Sequence, residues 1–337
     1  MRIFISAGGT VTAQSLVKAL REDGRADFIA IGDMDQLNAT RVFVDEFVTL
    51  PAAIAPEFPE RCLAVATQLR IDVFVPLIVE LEFLPLASVR NRFEALGCQL
   101  VVPERSVIEN TADKLAFAEF IARLGFPGPR TMAYEEDLMP ARFPVFLKPR
   151  RGSGSIGTTK ISSAHSLHEA ARGRSDLIVQ EALDGVEFTV DCFAAEPGRV
   201  VAAVPRERIA IKAGVSVKGR TYHHPLIEEI AADVVAKSGI AGPANVQGML
   251  LSDGGFSIIE MNPRFSGTLA LTTAAGINFA SLLLDSVSGQ PIHDLRGSHL
   301  GGVTMTRYWS EVFGTSEGDA WLGSTMGQEA GVQQRSP

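Results

Sequence analysis

The stretch NVQGMLLSDGGFSIIEMNPRFSG, residues 245–267, decides how the chain is read. Two apolar runs flank Asp253-Gly254, a two-residue hairpin signal. With those residues at the turn, Ser252 is expected to pair with Gly255 and Gln247 to lie opposite Glu260. Side chains alternate faces along a strand, so Glu260 and Asn262 point the same way. An amide, a carboxylate and a second amide thus converge in an otherwise apolar hairpin, where such groups are costly to bury without a partner. A few open, hard oxygen ligands suit Mg²⁺ that phosphates also hold. Arg264, two residues on, is set to meet a phosphoryl oxygen. Any one of these residues alone reads more simply as a strand-end group bonded locally. The four together, at matching register, favour a metal site.

The chain has 337 residues, enough for two or three subdomains, and its 46% apolar and 21% charged content is that of a globular protein. A net charge of −8 argues against a nucleic-acid surface, although a triphosphate needs only a local cationic pocket. Cys62, Cys98 and Cys192 are odd in number and widely spaced, with no CxxC, so neither a disulfide framework nor a zinc site is expected from them and a reducing cytoplasm fits best. The opening MRIFISAGG reads as a first strand too short for a signal peptide. The longest apolar run, VFVPLIVELEFLPLA, is interrupted by Glu80 and Glu82, so no membrane span is expected.

Residues 1–107 alternate strands with helices, the pattern of a doubly wound parallel sheet. Gly8-Gly9 follows the first strand and Asp33 ends the second, an incomplete dinucleotide fingerprint that reads more simply as a tight turn. TADKLAFAEFIARL, residues 111–124, is a helix with Thr111 as its expected cap and Gly125 as its stop. Lys114 falls in its first turn, where a cation is disfavoured, which invites a functional reading or a side chain that reaches solvent. Residues 108–140 are thus expected as a helical linker, 141–184 as a small β-rich unit, 185–315 as a larger unit carrying the metal hairpin, and 316–337 as a loose tail.

RRGSGSIG, residues 150–157, sits between two strands and lacks the Lys-Ser/Thr of a P-loop. It reads either as a flexible hairpin loop or as a flap whose backbone N–H groups cover phosphates, with Lys148 just before it. In VQEALDGVEF, the run Gln180–Leu183 is a connector that can read adenine through its backbone, and Glu187 can accept from a ribose. The basic run RERIAIKAGVSVKG, residues 206–219, offers Arg206 or Arg208 for a substrate carboxylate and Lys212 for the nucleotide side, or it is a solvated basic face.

Taken in order, Lys114, Lys148, GSGSIG, QEALDGVEF, KAGVS, NVQ and IIEMNPRFSG resemble the ATP-grasp superfamily, and within it a single synthetase unit of the carbamoyl-phosphate synthase large subunit. The likeness spans about residues 105–290, and residues 1–107 resemble the Rossmann-like domain that precedes such units. The resemblance implies an ATP-grasp fold of two α+β subdomains. It implies that Lys114 and Lys148 hold ATP phosphates and that Ser153, Gly154, Ser155, Ile156 and Gly157 form a mobile flap. Glu181 and Leu183 would meet adenine and Glu187 the ribose. Gln247, Glu260 and Asn262 would hold Mg²⁺ (or Mn²⁺), and Arg264 would steady the transferred phosphoryl group. Lys212 stands where the synthase has histidine. With no second synthetase unit in the sequence, the resemblance implies a carboxylate–amine ligase that uses small-molecule substrates and releases ADP. Glu80 or Glu82 would orient the amine. Bicarbonate activation, an ATP-binding protein without turnover, and a dinucleotide oxidoreductase built on Gly8, Gly9 and Asp33 are the alternatives. A symmetric homodimer is compatible with the chain, and no sequence feature fixes its oligomeric state.

Overall fold

The structure, a computed structural model, describes residues 1–137, 140–152, 154, 156–212, 214–314 and 321–322. Most of the expected 316–337 tail, with Ser153 and Ser155 of the expected flap, lies outside the described residues.

The first unit alternates β1 (Arg2–Ile5), α1 (Val11–Asp23), β2 (Phe28–Asp33), β3 (Glu46–Thr49), α2 (Phe58–Gln68), β4 (Val73–Val75), α3 (Leu84–Ala87), α4 (Arg90–Ala95) and β5 (Gln99–Leu100). Its five strands form a parallel sheet in the order β3-β2-β1-β4-β5. Gly8 and Gly9 make the tight turn into α1. A Cβ on Gly8 would come within 2.8 Å of Ile31, and the Asp33 carboxylate accepts the Gly9 N–H at 2.7 Å. Asp33 is therefore spent on closing this turn. After β4 the chain makes a π-helical turn over Val79–Phe83. That turn corrects the expectation for Glu82: it points inward, 3% exposed, and accepts the N–H groups of Leu77 and Ile78 at 2.9 and 2.8 Å. Burial pushes its carboxyl pKa up. Glu82 stitches the turn, while Glu80 faces outward from it.

Two helices follow, α5 (Arg105–Ala112) and α6 (Lys114–Arg123). The helix expected from Thr111 is thus broken at Asp113, whose carboxylate caps α6 by accepting from Leu115 N and Ala116 N. Thr111 instead bonds back to the Val107 carbonyl inside α5. A four-stranded antiparallel sheet, order β6-β9-β7-β8, is built from β6 (Thr131–Ala133), β7 (Val145–Pro149), β8 (Thr159–Ile161) and β9 (Leu177–Glu181), with α7 (Ala164–Ala171) packed on it. The segment 108–140 is therefore not helical throughout, since β6 belongs to this sheet.

The large sheet is antiparallel, order β14-β13-β10-β11-β12-β15. Its strands are β10 (Gly185–Glu196), β11 (Arg199–Lys212), β12 (Val215–Thr221), β13 (Gly242–Leu251), β14 (Phe256–Asn262) and β15 (Thr304–Thr306). The helices α8 (Pro225–Ser238), α9 (Leu269–Ala274) and α10 (Phe279–Val287) accompany it. Both faces of β10 are buried: Val190, Cys192 and Ala194 pack toward α8, and Phe193 packs toward α10 and the first sheet. One apolar cluster runs from Ile3 and Ile5 of β1 through α1 and α10 to Phe193 and Ala202, so the first unit and the large sheet share a core. The small sheet has its own core around Leu147, Leu167 and Val179.

The decisive hairpin departs from expectation at its tip. Leu251, not Ser252, is the last paired residue, and it donates to the Gly255 carbonyl across a three-residue turn with Gly254 at φ 86°. The pairing then runs Leu250 opposite Phe256 and Gly248 opposite Ile258, one residue out of the expected register. A bulge at Ile259 restores it, so Gln247 does face Glu260, and Asn245 faces Asn262. Gly248 makes room for the bulge: a Cβ there would lie 2.4 Å from the Phe256 ring and 2.6 Å from the Ser257 carbonyl oxygen. Gly248→Ala is expected to cost about 1–3 kcal/mol in denaturant unfolding, because the added carbon meets backbone and a fixed ring.

Candidate active site

The bulged hairpin brings Gln247, Glu260 and Asn262 into contact. Glu260 Oε1 accepts from Gln247 Nε2 at 2.6 Å and from Asn262 Nδ2 at 3.0 Å. Asn245, not singled out in the sequence reading, is 2% exposed, and its amide donates to the carbonyls of Asn262 (3.4 Å) and Arg264 (3.2 Å). It fixes the backbone that carries the two site residues. A narrow crevice lined by Glu80, Thr111, Lys114, Gly152, Glu260 and Asn262 opens beside the carboxylate, between the first unit and the hairpin. Lys114 is the first residue of α6, and its ammonium donates to the Gly152 carbonyl at 2.6 Å. Asp113 braces the same junction by pairing with Arg150 at 2.8 Å. Lys148 on β7 lies diagonally across from Gln180 on β9 and donates to its Oε1 at 2.6 Å. Gln180 is buried and held in turn by Thr131 on β6. It therefore positions the lysine from beneath, on the connector expected to face adenine.

Burial dominates the electrostatics of the group. Burial lowers the pKa of Lys114, opposed by Glu260 and Glu80, and burial lowers that of Lys148, opposed by Glu260 and Glu187. Burial acts the same way on Arg264, with Glu80 and Glu260 opposing. Three desolvated cations are thus offset by neighbouring carboxylates, with Glu260 common to all three.

Arg208 links the site to the rest of the large sheet. It donates to Gln247 Oε1 at 2.9 Å, to the Gly214 carbonyl at 2.9 Å and to Ser216 Oγ at 3.1 Å, and it pairs with Glu187. Glu187 is consequently not the free acceptor expected for a ribose, although about a third of its side chain is exposed. Arg206, two residues away, corrects a further expectation. It is 3% exposed and forms a two-armed pair with Asp191 at 2.7 and 3.0 Å, with Thr272 donating to the same carboxylate. An arginine closed off in this way is not available to a substrate. Asp191→Ala strands that guanidinium in the interior, and a loss of about 3–5 kcal/mol is expected in equilibrium unfolding.

Lys212 stands exposed at the end of β11 with its ammonium 4.9 Å from the ring centroid of Trp309, rather than among the carboxylates of the crevice. Trp309, itself 81% exposed, gave no sequence signal beyond being one of two tryptophans. The turn after Lys212 meets the glycine loop: a Cβ on Gly214 would come within 2.6 Å of Gly154 Cα. Ile156 is exposed, and Gly154 and Gly157 adopt φ of 68° and 74°, a backbone that side chains resist. Glu181 is exposed at the end of β9, where its carboxylate accepts the Arg130 N–H at 3.2 Å, and Leu183 is partly buried just beyond.

A family model described as ATP-grasp in the biosynthetic pathway with Ter operon matches residues 173–305. The carbamoyl phosphate synthase large chain of Gemmatimonas aurantiaca is 23% identical over 290 residues, covering 77% of this chain and 26% of that protein. The D-alanine–D-alanine ligase of a Thermotoga species is 29% identical over 167 residues, 43% of this chain and 55% of the ligase. The chain thus spans a quarter to about half the length of these relatives. Among solved structures, the biotin carboxylase domain of Hydrogenobacter thermophilus 2-oxoglutarate carboxylase, in complex with MgADP and bicarbonate, superposes with a TM-score of 0.70. It is 15% identical and covers 90% of this chain and 73% of that one. The parallel sheet followed by two α+β units has the fold of ATP-grasp enzymes, and over the matched residues the chain is similar in sequence to ATP-grasp proteins.

Proposed function

We propose that the chain is an ATP- and Mg²⁺-dependent ligase that joins a carboxylate to an amine and releases ADP and phosphate. The observation that carries this reading is Glu260, held by Gln247 and Asn262 on the hairpin, with Lys114 lining the same crevice and the desolvated Lys148 and Arg264 within electrostatic reach of its carboxylate. A polyanion is the natural complement of those three cations. The residue set also suits a hard cation: Glu260 offers a carboxylate, and Gln247 and Asn262 offer amide oxygens once their amides turn away from it. Bound there, Mg²⁺ would supply charge neutralisation to the phosphoryl oxygens.

In this reading the two lysines bind the phosphates, and Arg264 offsets the charge on the transferred group. A substrate carboxylate oxygen attacks the γ-phosphorus and the bond to ADP breaks, leaving an acyl phosphate. The amine nitrogen then attacks the acyl carbon. The carbon–oxygen bond to phosphate breaks, and the amine proton leaves with phosphate or solvent. The glycine loop excludes water while the acyl phosphate exists, its backbone seated against Gly214. Arg208, which already holds Gln247 and Glu187, takes the carboxylate-side role first shared with Arg206, and Glu80 on the π turn orients the amine from the first unit. The D-alanine–D-alanine ligase relative supports the amine-accepting chemistry. The carbamoyl phosphate synthase relative, which covers more of the chain, and the bicarbonate in the solved neighbour favour a second reading, in which bicarbonate is the acid. Incorporation of labelled bicarbonate with no organic acid present would select it. No helix among the described residues is long and apolar enough to cross a membrane, and the three cysteines are buried and unpaired. We assign the enzyme to a reducing cytoplasm as part of the same reading.

Glu260→Gln is expected to abolish Mg²⁺-dependent ADP release in a phosphate-release assay over amino acids and small carboxylates, with the melting temperature close to that of the parent. Undiminished turnover would remove the metal assignment. A second expectation concerns pH. The pKa of Lys148 is lowered by burial, so its charge is lost at lower pH than for a free lysine. Nucleotide affinity should therefore weaken as pH rises through that lowered value. Lys148→Arg, which keeps its charge, should move the weakening to higher pH. A pH profile unmoved by this change would count against the phosphate role of Lys148.

A further inference from the structure

His223, Glu228 and His299 meet where β12 leads into α8, apart from the residues of the crevice. One ligating atom from each lies within 4.8 Å of the other two. We propose that these three residues bind a divalent transition-metal ion, with Zn²⁺ as the best match. The argument begins with His299, which is 2% exposed. Its Nε2 lies 2.9 Å from the carbonyl oxygen of Tyr222 and must carry the proton to bond there. That tautomer leaves Nδ1 as a bare lone pair, and Nδ1 is buried with no hydrogen-bond partner. A buried acceptor without a donor is costly, and a cation would satisfy it. An imidazole whose second nitrogen donates to a backbone carbonyl is also how proteins orient a metal-binding histidine.

The other two ligands are held ready by the fold. His223 stacks on His299, with ring centroids 4.3 Å apart and planes at 34°. The chain crosses over it so closely that a Cβ on Gly301 would come within 2.8 Å of His223 Cδ2. Glu228 Oε1 caps α8 by accepting the His224 N–H at 3.0 Å and lies 4.0 Å from His223 Nδ1. Two imidazoles and a carboxylate form a borderline nitrogen–oxygen set suited to zinc and poorly suited to Mg²⁺. Bonds of about 2.0–2.1 Å in a tetrahedron put ligand atoms about 3.3 Å apart, so the cluster must contract by about 1.5 Å at most. The half-exposed His223 is free to make that movement from the solvent side. A fourth position would be left to water. The ion would pin residues 299–302, already tied to β12 by Thr221 Oγ1 donating to the Leu300 carbonyl and by Gly302 N donating to the Thr221 carbonyl, to the start of α8.

The test strips the full chain with a chelator and titrates it with Zn²⁺, then with Co²⁺, in buffer containing Mg²⁺. The parent and Glu260→Gln are each expected to take up one Zn²⁺ per chain. Co²⁺ should give the visible absorption of a low-coordinate nitrogen–oxygen site. Both signals should be lost in His223→Ala and in Glu228→Gln, whose metal-free melting temperatures should match the parent. His223 is the preferred target because it is half-exposed, whereas replacing buried His299 also tests folding. Unchanged uptake in both variants, or no saturable uptake by the parent, would overturn the proposal. Loss of uptake in Glu260→Gln alone would move the ion to the crevice and overturn it equally.

Discussion

The structure depends on holding several positive charges together at a place where water is scarce. Lys114, Lys148 and Arg264 arrive from a helix start, a small-sheet strand and the end of the decisive hairpin, and all three are desolvated around the Glu260 carboxylate. Such an arrangement is unfavourable by itself, so much of the surrounding fold goes to restraining it. Gln180 holds one lysine, the Gly152 carbonyl another, and Asn245 fixes the backbone behind Arg264. The shared core of the first unit and the large sheet keeps Glu80 beside the crevice. Desolvated charges of this kind persist only where the rest of the molecule holds them in place.

The separation of cores has a mechanical consequence. Lys148 and the glycine loop belong to a four-stranded sheet with its own small apolar cluster, whereas Glu260 and Asn262 belong to the sheet fused to the first unit. Lys114 spans the junction through its bond to Gly152. A unit with an independent core can change its tilt without unpacking the rest, which is what a loop that closes over a reactive intermediate requires.

The register that brings Gln247 opposite Glu260 was legible in the sequence, yet it is reached by two departures that cancel. The turn has three residues rather than two, and the bulge at Ile259 absorbs the difference. Neither leaves a mark in the apolar run Ile258-Ile259, because both positions tolerate the same residue type. Alternation in residues 1–107 revealed the parallel sheet. The edge strand β3, four residues with exposed ends, has too little periodicity to stand out. Where two like residues sit two apart, the sequence could not tell them apart. Arg206 closes on Asp191 while Arg208 reaches Gln247, and Glu82 turns inward while Glu80 lines the crevice. What separates them is a partner fifteen or more residues away, or a π turn whose backbone has no side-chain signature. Lys114 at a helix start was visible as an anomaly, but its true cap, Asp113, was hidden by the more familiar threonine before it.

The most direct test of the site is calorimetric titration of the full chain with ATP, with and without Mg²⁺. One nucleotide per chain, bound markedly more tightly when the cation is present, is the predicted result. Binding that is absent, or indifferent to the cation, would contradict the assignment of the crevice to a metal-bound triphosphate.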